Sequence, residues 1–79
     1  MDSLERLLNF LDRLQKHGLY FHLDRGRSEA IMVRVDVPGE RWEVEFFADG
    51  HVEVEVFGSG SQGIEGEEAL DRLFATHAD

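Results

Sequence analysis

Between Leu19 and Val56 apolar side chains recur at every second position in four separate runs, and this alternation constrains the chain more than any other feature. The runs are Leu19-Phe21-Leu23, Ile31-Val33-Val35-Val37, Trp42-Val44-Phe46 and Val52-Val54-Val56. A period of two is the signature of a strand with one buried face, because successive side chains point to opposite sides of a sheet. A slip of one residue in any pairing would turn that strand's apolar set toward solvent, so the turns have to agree with the pattern.

Two turns do agree. Val37-Pro38-Gly39-Glu40 has Pro and Gly in the order of a type II turn, which sets Val35 opposite Trp42 and Val33 opposite Val44. Ala48-Asp49-Gly50 offers two solutions. A two-residue Asp-Gly turn would bring Phe46 against Glu53 and mix the faces. A three-residue loop with Gly50 in the left-handed position pairs Phe46 with Val52 and Val44 with Val54, and the pattern selects it. The link Asp24-Arg25-Gly26-Arg27-Ser28 carries no such turn chemistry. Placing Leu23 opposite Ile31 gives three apolar rows: Leu19/Val35/Trp42/Val56, Phe21/Val33/Val44/Val54 and Leu23/Ile31/Phe46/Val52.

A sheet with one apolar face needs a cover. Leu4, Leu7, Leu8, Leu11 and Leu14 fall at helical spacing, with Phe10 on the shoulder, and predict a helix from about Ser3 to His17. Asp2 and Glu5 have the spacing of a capping box, and Gly18 followed by Leu19 that of a Schellman ending. Lys16 and His17 stand in the last turn, where positive charge is favoured. Residues 58–63 read as a flexible Gly/Ser connector. Ala69, Leu70, Leu73 and Phe74 then predict a second helix from about Glu67 to His77, with Glu65, Glu67 and Glu68 near its start. The expectation is one α+β domain over residues 1–79, ordered α-β-β-β-β-α. Its sheet is a four-stranded antiparallel meander with both helices on one face.

Charge is distributed unevenly along the chain. The net charge is −9, yet residues 1–37 hold six acidic and six basic residues, so residues 38–79 carry the whole imbalance. Such a domain repels nucleic-acid phosphates and suits a cationic partner. No run approaches the roughly 20 apolar residues of a membrane span, and the N-terminus lacks the basic start and apolar run of a signal peptide. With no cysteine in the chain, a disulfide framework and a thiolate nucleophile are excluded. The setting expected from these features is cytoplasmic, with no membrane and no nucleic acid among the partners.

The same register that defines the buried face defines the outer one. It sets Glu43 opposite Glu55 and Glu45 opposite Glu53, and like charges facing each other across strands are destabilising. Two unit charges about 4 Å apart repel by roughly 1 kcal/mol in water. Arg34 lies across from Glu43 and Arg41 across from Asp36, whereas Glu45 and Glu53 share their row only with Met32 and His22. Tyr20, Met32, Phe47 and Phe57 fall on this face too. Acidic residues beside exposed apolar ones mark an interaction surface for a basic protein, the leading expectation. The competing reading is a charged strand face that guards the sheet against edge pairing.

Other chemistries fit less well. His22 and Glu45 stand two strands apart, roughly 9–10 Å, and His51 and Glu53 about 7 Å apart on one strand, so neither pair has metal-ligand spacing. No serine lies in a nucleophile elbow, and the glycine-rich stretches lack the lysine of a phosphate loop. No cofactor, metal or catalytic constellation is expected. In outline the element order and the acidity are similar to frataxin-like proteins. That likeness is architectural: the first helix balances Asp2, Glu5 and Asp12 with Arg6, Arg13 and Lys16, so it implies no iron handling. By size and charge alone the chain also resembles small acidic immunity proteins and antitoxins, which mask basic surfaces. A non-enzymatic binding module is therefore expected, either monomeric or homodimeric. The alternative is a homo-oligomer that buries the sheet face or swaps its second helix across the connector.

Overall fold

A computed structural model describes residues 2–58 and 63–77. The elements are α1 (Ser3–Lys16), β1 (Phe21–Asp24), β2 (Ala30–Val37), β3 (Glu40–Phe47), β4 (Val52–Gly58), β5 (Ile64–Glu65) and α2 (Ala69–His77). The strands form one antiparallel meander in the order β1-β2-β3-β4-β5, and both helices pack apolar residues into the core on one of its faces. The fold is therefore the expected α+β arrangement with one strand added.

Local chemistry accounts for the ends of α1. Asp2 Oδ1 accepts from the Glu5 amide at 2.8 Å while Glu5 Oε1 accepts from the Asp2 amide at 3.4 Å, a complete capping box. At the other end the Leu19 amide donates to Leu14 O and the Gly18 amide to Gln15 O, with Gly18 at φ 69°, the Schellman pattern. The two tight turns also follow the sequence. Val37 pairs with Glu40 around Pro38-Gly39, and Phe46 pairs with Val52 around a three-residue loop.

Three positions differ from expectation. First, β1 is displaced by two residues along β2: Leu23 pairs with Val33, not Ile31, and Phe21 with Val35. Even slips preserve the inner and outer faces, so the alternation could not select between them. The link is held instead by one bond within it, Arg25 donating to Ser28 O, and one from the β3–β4 loop, the Ala48 amide donating to Glu29 O. Second, Ile64-Glu65 forms β5 on the free edge of β4, with Val54 opposite Glu65 and Glu55 opposite Ile64. Of the expected flexible connector, Gly58 belongs to β4 and Gly63 precedes β5, while residues 59–62 lie outside the described residues. Third, α2 begins at Ala69 and not Glu67, because Glu67 and Glu68 form a turn closed by the Ala69 amide on Gly66 O.

The core consists of Val33, Val35, Val37, Trp42, Val44, Phe46, Val52, Val54 and Val56 from the sheet. Phe10 and Leu14 of α1 and Ala69, Leu70, Leu73 and Phe74 of α2 pack on them. Phe10 is central, with its ring 5.5 Å from Phe46 and 6.0 Å, edge-on, from Phe74. Ion pairs fix where α2 docks, which the sequence left open. Arg6 pairs with Glu67, Arg72 binds Glu65 through both guanidinium ends at 3.2 and 2.8 Å, and Arg13 lies 4.0 Å over the Phe74 ring.

Glu40 joins the sheet to the end of α2. Its Oε1 accepts from the Trp42 indole N–H at 3.0 Å and lies 3.1 Å from His77 Nε2. The indole bond, then the bond to His77, holds the Glu40 carboxyl below its ordinary pKa, partly opposed by desolvation. The stability this gives is present above the unfolded-state pKa and is lost as pH falls through the depressed one.

Two glycines allow a controlled test of the frame. Gly58 has φ 125°, and a Cβ there would stand 2.4 Å from the backbone oxygen of Gly39. Gly26 has no positive φ and nothing within 4 Å of a Cβ. In urea melts, Gly58→Ala is expected to cost on the order of 1–3 kcal/mol. Gly26→Ala should be neutral or stabilise by up to about 1 kcal/mol. Equal effects would contradict the turn geometry described.

Candidate functional site

The outer face of the sheet carries two rows of polar residues. One runs His22, Arg34, Glu43, Glu55, Ile64 across all five strands, and the next runs Asp24, Met32, Glu45, Glu53 across four. Glu43 faces Glu55 and Glu45 faces Glu53, as the alternation predicts. The β1 displacement corrects the rest of the second row: Asp24, a third acidic residue, stands beside Met32 where His22 was expected.

Three of the four glutamates have partners. Arg41 Nε lies 3.3 Å from Glu43, Arg27 Nε 3.3 Å from Glu45, and His51 Nε2 3.3 Å from Glu53. The expected isolation of Glu45 and Glu53 is thus corrected. Their partners come from the β1–β2 link and the β3–β4 loop, and strand register does not report on those residues. Arg34, across from Glu43, turns instead to Asp24 and Asp36, both at 3.8 Å. Glu55 has no cationic partner among the described residues.

The apolar residues expected on this face divide. Tyr20 is 85% exposed, Met32 is half-buried, and Phe57 lies at the margin with the Arg41 guanidinium 4.7 Å over its ring. Phe47 is a correction: only 6% of it is exposed. The His51 ring stacks on it at 4.1 Å and 11°, and Arg27 approaches to 5.6 Å. The His51 imidazole and the Arg27 guanidinium thus cover an aromatic ring that faces outward by strand parity. Ile64 is the apolar residue that the sequence reading missed. It projects next to Glu55 and is 66% exposed. The only sequence signal for it was a lone branched residue after a glycine-rich stretch.

Glu43, Glu45, Glu53 and Glu55, with Arg27, Val54 and Ile64, line a depression of about 40 Å³. That is far below the roughly 300 Å³ or more typical of a small-molecule site, whereas an open depression of about 470 Å³ lies beside it, bordered by Arg27, Glu29, Phe47, Asp49, His51 and Glu53. The arrangement presents charge and a little apolar surface to whatever lies against it. Among the described residues no group of three or more His, Asp or Glu side chains is arranged to hold a metal ion. No helix is long and apolar enough to cross a membrane. Comparison of the chain with protein-family models, curated proteins and solved structures finds no match.

His51 stands between two carboxylates. Its Nδ1 lies 2.5 Å from Asp49 Oδ1, whose carboxylate also accepts from the His51 amide at 3.0 Å. The bond to Asp49, then that to Glu53, raises the His51 pKa above its ordinary value, partly opposed by desolvation. The backbone and side-chain bonds from His51 in turn lower that of Asp49. A raised histidine stabilises the fold fully below its unfolded pKa, and the effect is lost as pH rises through the folded one.

Two outcomes are expected. In an NMR titration His51 should give a midpoint above that of an exposed histidine, and Asp49→Asn should lower it more than Glu53→Gln. Glu55→Gln should raise the urea midpoint, corresponding to a stability gain of roughly 0.2–1 kcal/mol, because it removes the charge facing Glu43. A midpoint that falls would contradict uncompensated repulsion at that pair.

Proposed function

We propose that the protein is a non-enzymatic binding module, acting in the cytoplasm, whose outer sheet face docks a basic partner protein. One observation carries the reading. Glu55 faces Glu43 without a cation of its own among the described residues and lies beside the exposed Ile64. Facing carboxylates destabilise a sheet, so a site that keeps them trades stability for something else. A guanidinium or ammonium from a partner would bridge Glu43 and Glu55, with Ile64 supplying apolar contact beside them.

The depression among the four glutamates is too small to enclose a substrate, which favours a partner's side chain there over a small molecule. Three of the histidines are held by local partners: His17 by Arg13 O, His51 by Asp49 and Glu53, and His77 by Glu40. The footprint differs from that read in the sequence in one respect. Phe47 serves as packing beneath His51 and Arg27, and Ile64 takes its place as the exposed apolar residue.

The test is a pull-down from lysate of the source organism at low and high salt. The wild type is compared with a variant carrying Gln at Glu43, Glu45, Glu53 and Glu55. The expected result is a basic protein retained by the wild type alone and released as salt rises. Retention that is equal on the variant would remove the acidic face from the account.

A further inference from the structure

Helix α1 has two flanks of opposite character. Toward α2 it is polar and paired, with Arg6 on Glu67 and on Gly50 O, and Arg13 on Asp71 and Phe74. The other flank carries Leu4, Leu8, Leu11 and Gln15, spaced 4, 3 and 4 apart with no charged residue among them. Leu4 and Leu7 border a depression of about 250 Å³ with Ile31 and Phe46, and Gln15 borders another of about 340 Å³ with Leu19, Tyr20 and Phe21. This flank therefore overlooks β1 and β2. The cover that two helices were expected to give the whole sheet stops short here. Leu4 is 62% exposed, Leu8 50% and Leu23 52%.

Below that flank lies β1, an edge strand with β2 as its one neighbour. An edge strand presents unpaired N–H and C=O groups, and proteins commonly blunt such edges with Lys, Pro, a bulge or a covering element. The sequence Phe21-His22-Leu23-Asp24 contains neither Lys nor Pro, whereas the opposite edge of β4 is covered by β5.

We propose that this edge is the dimerisation surface of the protein, and that its occupant is a second copy of the same chain. Charge selects the occupant. Two molecules of net charge −9 repel each other, but α1, β1 and β2 lie within residues 1–37, where six acidic residues offset six basic ones. Meeting along β1 sets this neutral flank against itself and keeps the acidic strands β3 and β4 at the far sides. A basic partner would find little to bind, because one depression has Glu29 beside Arg25 and the other contains no charged residue.

The pairing is antiparallel about a twofold axis. Only registers that match odd residues with odd ones keep the two apolar faces continuous. Centring the axis on His22 sets Phe21 opposite Leu23 of the second copy. The result is one ten-stranded sheet with all four helices on the same face. Leu4, Leu8 and Leu23 of each chain are covered at the junction. The acidic outer face stays open, so dimerisation and docking of a basic partner are compatible and are tested separately.

The experiment is sedimentation equilibrium of the full chain over a wide concentration range, at low and high salt. The variants Leu8→Glu and Leu23→Lys are run beside it. The wild type is expected to approach twice the 9.0 kDa chain mass, and the dimer to persist or strengthen as salt screens the net charge. Both variants should remain single chains while keeping the wild-type Trp42 fluorescence and urea midpoint measured at low concentration, since the replaced side chains are half-exposed. Amide exchange supplies a readout independent of the variants: protection across Phe21–Asp24 should rise with protein concentration. A wild type that stays at the mass of one chain overturns the proposal. So does a dimer that survives both variants, or one abolished by the four Glu→Gln replacements, which would move the interface to the outer face.

Discussion

Everything else in the molecule depends on the pairing of β2, β3 and β4 in one register. Val33, Val44 and Val54 form one buried row and Val35, Trp42 and Val56 the next. Because side chains alternate across a sheet, the pairing that buries these rows also sets Glu43 against Glu55 and Glu45 against Glu53 on the opposite face. The acidic cluster is thus geometrically inseparable from the core. A sequence could keep the core and relieve the repulsion by placing lysine or threonine opposite each glutamate. This one keeps the glutamates, brings Arg27 and His51 in from loops to hold Glu45 and Glu53, and leaves Glu55 unpaired among the described residues.

The two sheet edges differ as strongly as the two faces. The β4 edge is closed by β5, whose Glu65 binds Arg72 and so ties the edge strand to α2. That bond lowers the Glu65 pKa and raises that of Arg72. The β1 edge carries an incompletely covered apolar strip in the electrically neutral half of the chain. The acidic outer face and the apolar β1 edge are therefore distinct surfaces of a small domain. Each side then favours a different kind of contact, cationic on one and apolar on the other.

Turn chemistry made most of this legible in the sequence. Gly18, Gly39 and Gly50 each stand where a left-handed backbone is required, at φ 69°, 80° and 98°, and each fixes the element on either side of it. The β1–β2 link has no such residue, so its register was open to any even slip, and the bonds that hold it, Arg25 to Ser28 O and the Ala48 amide to Glu29 O, are not encoded by alternation. β5 is two residues long, and backbone pairing defines it with no alternation to read. Phe47 obeys outward parity but is covered by His51 and Arg27, whose reach parity does not encode. Leu4 and Leu8 read as core because they share a helical stripe with Leu7 and Leu14. The stripe is wider than the seam that α1 presents to the sheet, and the surplus faces solvent.

The most direct test of the central claim is an NMR titration of the isotope-labelled protein with a short arginine-rich peptide at physiological salt. Localised docking predicts saturable shifts at residues 43–45, 53–55 and 64, which vanish when Glu43 and Glu55 are replaced by Gln. Weak, non-saturating shifts spread evenly over Glu65, Glu67, Glu68, Asp71 and the acidic residues of α1 would contradict it. They would reduce the outer face to a charged surface that keeps the molecule in solution.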